Sequence, residues 1–160
     1  MSKAKKGQLR WLWVAAAVMV TDLMTKSMAT MKLTYGVPKE IFPGFNLTLL
    51  HNYGAAFSFL NDQPGWQVFF LSAIAIIVSF GILIWISRLN RTDNITAIGL
   101  SLIMGGALGN VYDRLTYGYV IDFIDLHYGS YHWPAFNIAD SAICVGAFII
   151  IIISLFKSKK

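Results

Sequence analysis

The sequence predicts a mainly α-helical membrane protein: four transmembrane helices, both termini cytoplasmic, and a small extracytoplasmic β-sheet between helices 1 and 2. Three observations predict it. Of the 160 residues, 56% are hydrophobic and 13% are charged, against ~25% charged in a soluble domain. Mean hydropathy is +0.59, and a chain this short cannot form a soluble core large enough to hide so much apolar side chain. The apolar residues fall into four long runs, with Lys and Arg gathered at particular ends of them. A soluble enzyme, a disordered tail and a collagen-like fibre are excluded, and residues 1–160 read as a single integral membrane domain.

A spanning helix needs about 20 mostly apolar residues to cross a ~30 Å hydrocarbon core. The first run, Trp11 to Met31, is interrupted by Asp22 and Lys26. It follows Lys3, Lys5, Lys6 and Arg10, and its Ser27-Met28-Ala29 fits a small-x-small cleavage pattern. Its length exceeds that of a signal-peptide core, so it reads as a retained span. The second run, Trp66 to Ile86, has no charge. The third, Ile95 to Leu115, is rich in small residues (Gly99, Gly105, Gly106, Ala107, Gly109) before Asp113 and Arg114. The fourth, Asn137 to Phe156, carries one charge, Asp140. The lone cysteine, Cys144, lies in this run and reads as a small buried hydrophobe.

Basic residues set the orientation. Nine of the 13 (Lys3, Lys5, Lys6, Arg10, Arg88, Arg91, Lys157, Lys159, Lys160) flank the cytoplasmic ends, while Lys26, Lys32, Lys39 and Arg114 lie on or toward the other side. Acids show the opposite bias. Asp22, Glu40, Asp62, Asp113, Asp122, Asp125 and Asp140 lie on the outer side or in the outer half of a span, and only Asp93 is cytoplasmic. Any chemistry is expected at the outer face. The net charge of +5 forms no basic face interleaved with aromatics, which argues against nucleic acid.

Two outer segments join the spans. Residues 32–65 carry turn signals at Gly36, Pro38, Pro43-Gly44 and Pro64-Gly65, and Phe45 to His51 alternates for most of its length as a half-buried strand does. Trp66 and Trp133 suit a membrane interface. Residues 116–136 are shorter and hold Val120-Ile121-Asp122-Phe123-Ile124-Asp125-Leu126, an apolar run broken by two carboxylates.

Ionisable residues in a span are costly and so become functional candidates. Asp22 and Lys26, spaced i,i+4, share a helix face and can pair. Asn137 as N-cap with Asp140 at the third helical position would open the fourth span. Asp122 reads either as an acid on a surface amphipathic segment or as a neighbour of Asp140 at the membrane boundary. Two close carboxylates in a partly dry site share a proton and can serve as base and acid together. Arg114 can pair with Asp113 or Asp125 or reach a lipid phosphate, and Asn52 reads as a turn residue. His51, His127 and His132 lack metal-ligand spacing, and no nucleophilic serine motif stands out.

In order along the chain stand Thr21-Asp22-Leu23-Met24-Thr25-Lys26, Asn52-Tyr53-Gly54-Ala55-Ala56-Phe57-Ser58, Gly109-Asn110-Val111-Tyr112-Asp113-Arg114, Val120-Ile121-Asp122-Phe123 and Phe136-Asn137-Ile138-Ala139-Asp140. Together they resemble the bacterial lipoprotein signal peptidases, signal peptidase II, over nearly the whole chain. The resemblance implies an intramembrane aspartic endopeptidase of the bacterial cytoplasmic membrane with its active site toward the periplasmic face. It would cut diacylglyceryl-modified prolipoproteins just before the lipidated cysteine. It implies catalysis by Asp122 and Asp140, supported by Asp22, Lys26, Asn52, Gly54, Asn110, Asp113, Arg114, Asn137 and Ala139. No metal or cofactor is implied, globomycin is the expected inhibitor, membrane lipids are the surroundings, and a monomer is expected. The glycine-rich face of the third span is expected to let a substrate helix approach closely. The competing class is a small proton-coupled transporter with Asp22 as its proton site.

Overall fold

The computed structural model describes residues 7–54 and 65–157. Lys3, Lys5, Lys6, Lys159 and Lys160 of the topology signal, Ala55 to Ser58 of the second motif, Asp62 and Pro64 lie outside the described residues. Four helices carry the apolar runs: α1 (Leu12–Lys32), α2 (Trp66–Arg88), α3 (Asn94–Tyr117) and α4 (Ile138–Lys157), with a short 3-10 turn, Leu9–Trp11, before α1. All four are long and apolar enough to cross a membrane. α2 continues through Ser87 to Arg88, whose cation suits a helix C-terminus. α3 runs on to Tyr117 and stops at Gly118, which takes the left-handed conformation (φ 82°) that closes the helix.

α3 is the centre of the bundle: α1, α2 and α4 all pack against it. Ala97, Leu100 and Met104 of α3 meet Ala15 of α1 and Ile82 and Ile86 of α2 in a core at the end away from the sheet. Phe69, Ile77 and Phe148 instead point outward and exposed. In lipid that costs nothing, so helix association rests on close packing. Small residues on α3 supply it. A Cβ at Gly105 would sit 2.6 Å from the Ala15 carbonyl oxygen of α1; one at Gly106 would collide with the Ala139 carbonyl oxygen of α4. One at Gly109 would lie 2.7 Å from Asp22 Oδ2. The expectation that this face receives a substrate helix is therefore corrected: α1 and α4 of the chain itself occupy it.

The sheet has four antiparallel strands in the order β1 (Lys39–Phe42), β2 (Phe45–Asn52), β3 (Val120–Tyr128), β4 (Tyr131–His132). It draws on both outer segments, so the strand expected at 45–51 pairs with the apolar run at 120–126. Leu47 pairs with Ile124, but Leu50 pairs with Asp122, so β2 carries one extra residue between them. That bulge shifts the face alternation of β2 by one, and places Asn52 on the same face as Asp122. Under the sheet, Leu49, Ile121 and Phe123 pack on Ala29 of α1. Asp122 and Asp125 are 3% and 5% exposed, so the reading of β3 as a strip with its acids in water is excluded.

The packing yields a paired test. Gly81, in α2, has no atom within 4 Å of an added Cβ, so Gly81→Ala should be neutral or stabilise by up to about 1 kcal/mol. Gly106→Ala should instead destabilise by about 1–3 kcal/mol, as overpacking does. Unfolding of the two purified variants in the same detergent checks this.

Candidate active site

Between the helical core and the sheet lies a layer of buried polar groups. Asp22, Lys26, Asp113 and Asn137 are each at most 1% exposed. Groups so enclosed must satisfy one another, and most of their polar atoms do, although Asp113 Oδ1 has no hydrogen-bond partner among the described residues. Lys26 Nζ is 2.7 Å from Asp22 Oδ2 and 2.9 Å from Asp113 Oδ2, and donates to Asn110 Oδ1 at 2.9 Å. Three oxygens thus surround the one cation. The expected Asp22–Lys26 pair exists, but Lys26 is also the tie between α1 and α3. Asp22 reaches a third helix by accepting the Ala139 N–H of α4 at 2.9 Å. Asp113 accepts the Ile121 N–H at 3.1 Å and so locks β3 to the end of α3.

Asn137 opens α4 as expected, and does more. Its Oδ1 accepts the Asp140 N–H at 2.9 Å while Asp140 Oδ2 accepts the Asn137 N–H at 3.2 Å. This is a reciprocal capping box. Its Nδ2 donates to Asp122 Oδ1 at 2.8 Å, and to Asn110 Oδ1 and the Ile121 carbonyl at 3.2 and 3.3 Å. One asparagine therefore holds both carboxylates. Asn110 Nδ2 donates to Asp140 Oδ1 at 2.8 Å, and Asn52 Nδ2 to Asp122 Oδ2 at 3.1 Å. Asn52 is also a turn residue, since its Oδ1 accepts the Gly54 N–H at 3.0 Å. Arg114 Nη2 donates to the Gly54 carbonyl at 3.1 Å rather than pairing with Asp125, and its buried Nε has no hydrogen-bond partner among the described residues.

The two carboxylates of β3 have opposite surroundings. Burial, and then the charge of Asp140, push Asp122 up to about 7, against the donors Asn52 and Asn137. Burial also acts to raise Asp125, but hydrogen bonds from His132 Nδ1 (2.7 Å), Thr48 Oγ1 (2.8 Å) and Asn46 Nδ2 (3.4 Å) outweigh it and hold that group below its ordinary value. Residues three apart on a strand face opposite sides. Asp125 is thus a structural anion, and Asp122 is the carboxyl able to carry a proton near neutral pH.

A cavity of about 680 Å³ opens on the pair, with Asp122, Asp140, Asn110 and Arg114 on its polar wall. Its other walls include Ala75 of α2, Ala107 of α3 and Ile143 of α4. Cys144 lines it too and is exposed, which corrects the expectation of a buried thiol. It follows Asp140 by one helical turn, which turns it toward the same opening. Sequence reasoning missed two parts of this wall. His51 of β2 lines the cavity, stacked on Tyr119 with ring centroids 3.9 Å apart, and burial lowers its pKa, favouring the neutral ring. Trp133, Pro134, Ala135 and Phe136 form a strap over the cavity, bound to β3 through Ile124 and Leu126. No local pattern signals either, because both depend on which strand pairs with β3. Among the described residues no group of three His, Cys, Asp or Glu side chains is placed to hold a metal.

Two results are expected from these contacts. Lys26→Ala leaves two carboxylates buried without their cation and should cost about 3–5 kcal/mol. Lys26→Met with Asp22→Asn and Asp113→Asn should recover much of that in a detergent unfolding assay. Because Asp122 binds its proton more tightly folded than unfolded, it removes stability as pH rises from about 4 to about 7. Stability of Asp122→Asn should be flatter than that of the parent chain over that window.

Three comparisons place the chain among known proteins. The family model for signal peptidase (SPase) II matches residues 14–156. A lipoprotein signal peptidase of Vibrio cholerae is 47% identical over 158 residues, spanning 98% of this chain and 92% of its own length. One of Coxiella burnetii is 47% identical over 152 residues, spanning 95% and 93% respectively. A solved bacterial membrane enzyme superposes with a TM-score of 0.86 at 31% identity, covering 98% of this chain and 94% of that one. The transporter reading loses to this agreement. The chain belongs to the signal peptidase II family and is a membrane-embedded peptidase.

Proposed function

We propose that Asp122 and Asp140 are the catalytic pair of this peptidase. In this reading it removes the signal peptide from diacylglyceryl-modified prolipoproteins, cutting just before the lipidated cysteine, at the outer face of the bacterial cytoplasmic membrane. One observation carries the assignment. Asn137 donates to both carboxylates, through Nδ2 to Asp122 and through its backbone N–H to Asp140, on the wall of one cavity. The sequence bias of Lys and Arg toward the chain termini and the link between the second and third spans supports the orientation.

Near neutral pH the pair holds one proton. The ionised carboxylate takes a proton from a water as its oxygen attacks the scissile carbonyl carbon, and the partner gives its proton to the carbonyl oxygen. The resulting diol collapses, the C–N bond breaks, and the amine leaves with a proton returned by the pair. Asn110, Asn137 and Asn52 hold the carboxyls without neutralising them, since each donates a hydrogen bond and carries no charge. The Lys26 cation contacts Asp22 and Asp113 directly, touches the pair only through Asn110, and acts on Asp122 through space, where it opposes the effect of burial. The diacylglyceryl chains keep the substrate at bilayer depth, which supplies proximity. The apolar wall at Ala75, Ala107 and Ile143 is where apolar substrate groups would lie, and globomycin is expected to compete there. Gly54 and Arg114 tie the end of β2 to α3 beside the pair, and the protein is expected to act as a monomer.

Cleavage of a lipidated prolipoprotein by purified protein tests the assignment. Asp122→Asn and Asp140→Asn should each lower the rate by at least about 10³-fold while still binding substrate. Asp125→Asn should retain cleavage, and globomycin should block the parent chain. Substantial cleavage by either of the first two variants would remove that residue from the mechanism.

A further inference from the structure

The end of the bundle away from the sheet holds a second cavity, of about 360 Å³, lined by Gly7, Leu9, Arg10 and Arg91. The chain ahead of α1 builds it by folding back on the end of α2. The Gly7 N–H donates to the Leu89 carbonyl at 2.8 Å and the Gln8 N–H to the Ile86 carbonyl at 3.1 Å. Gln8 is 1% exposed and its Nε2 donates to the Asn90 carbonyl and Asn94 Oδ1 at 3.0 and 2.9 Å. Arg10 rests on this clamp, donating through Nε to Gln8 Oε1 at 3.2 Å and through Nη2 to Asn94 Oδ1 at 2.8 Å.

One edge of the Arg10 guanidinium is thereby fixed, while its Nη1 has no partner among the described residues. Arg91, in the turn between α2 and α3, makes no hydrogen bond or ion pair among the described residues. Among the described residues no acidic side chain lines the cavity. A fixed guanidinium beside a second one matches the oxygens of a phosphate diester. The depth fits a headgroup as well. Trp11, Trp13 and Trp85 mark this end of the bundle, with Trp13 and Trp85 exposed, as at a membrane interface. Leu9, also exposed, gives the cavity an apolar lip.

We propose that Arg10 and Arg91 form a binding site for the phosphate of an anionic membrane lipid, separate from the catalytic cavity. The apolar lip and the tryptophans favour a lipid over free phosphate, and the two unneutralised cations favour a net-negative headgroup over a zwitterionic one. The site is independent of the catalytic assignment.

The full-length protein in detergent, titrated with phosphatidylglycerol and followed by thermal unfolding and native mass spectrometry, tests it. Phosphatidylglycerol should bind and raise Tm, whereas phosphatidylcholine and inorganic phosphate at the same concentration should do neither. Arg91→Gln should weaken phosphatidylglycerol binding roughly 5-fold and Arg10→Gln with Arg91→Gln roughly 30-fold, as for loss of one and two basic groups at a charged surface. Lys39→Gln, on the sheet, should bind as the parent does. If the double variant does not fold, Arg91→Gln alone decides, since that side chain makes no hydrogen bond or ion pair among the described residues. Unchanged binding in the arginine variants, equal binding of phosphatidylcholine, or displacement by inorganic phosphate would overturn the proposal.

Discussion

A lysine and two aspartates that meet inside a bundle of membrane helices have no water to appeal to. The contacts of Lys26 with Asp22, Asp113 and Asn110 follow from that constraint, and much of the outer half of the molecule is organised by them. Asp22 goes on to the N-terminus of α4, where its anion suits the helix dipole. Asp113 goes on to β3, and Asn110 to Asp140. Four elements distant in sequence are thereby fixed to one cation. In hydrocarbon the alternative to such pairing is a bare buried charge, so the node also specifies which helices meet and in what register. The glycines of α3 make it reachable, since a Cβ at Gly109 would occupy the space of the Asp22 carboxylate.

The proposed catalytic pair sits on the rim of this node and borrows its rigidity, with Asn110 standing between Asp140 and the Lys26 cation. Capping chemistry and catalytic positioning are performed by the same residues. Asn137 and Asp140 close the first turn of α4 as any good capping box would, and in doing so aim Asp140 at the face of β3 that carries Asp122. The bulge in β2 adds Asn52 to that face. The contrast with Asp125 shows how environment divides two carboxyls of one strand. Three donors keep Asp125 ionised, whereas Asp122 keeps two donors, a neighbouring carboxylate and little water.

Much of this was legible in the sequence, because bilayer physics is read from one-dimensional pattern. Span length, the bias of Lys and Arg, and the scarcity of ionisable residues need no tertiary knowledge, and the order of five short motifs identified the family. The i,i+4 spacing gave the Asp22–Lys26 pair, and the cap signature gave the Asn137–Asp140 bond. What stayed hidden depends on pairing between distant segments. The run at 120–126 left two readings open, a surface strip or a neighbour of Asp140, because nothing local says that β2 pairs with it. Asn52 looked like a turn residue because its second bond crosses 70 residues to Asp122. Gly105, Gly106 and Gly109 announced close helix contact without saying which helix makes it. Cys144 looked buried because an apolar run does not reveal which of its faces borders a cavity.

The central claim is that Asp122 and Asp140 work as a pair sharing one proton, with Asp122 titrating near neutrality because of where the fold buries it. The pH dependence of kcat/KM on a lipidated prolipoprotein, measured in one detergent from pH 4 to 9, tests that most directly. The account predicts a rate that falls on the alkaline side with a midpoint near pH 7, as the pair loses its proton and with it the acid. A rate that keeps rising through pH 8, as for a single carboxylate base or a deprotonated nucleophile, would contradict it.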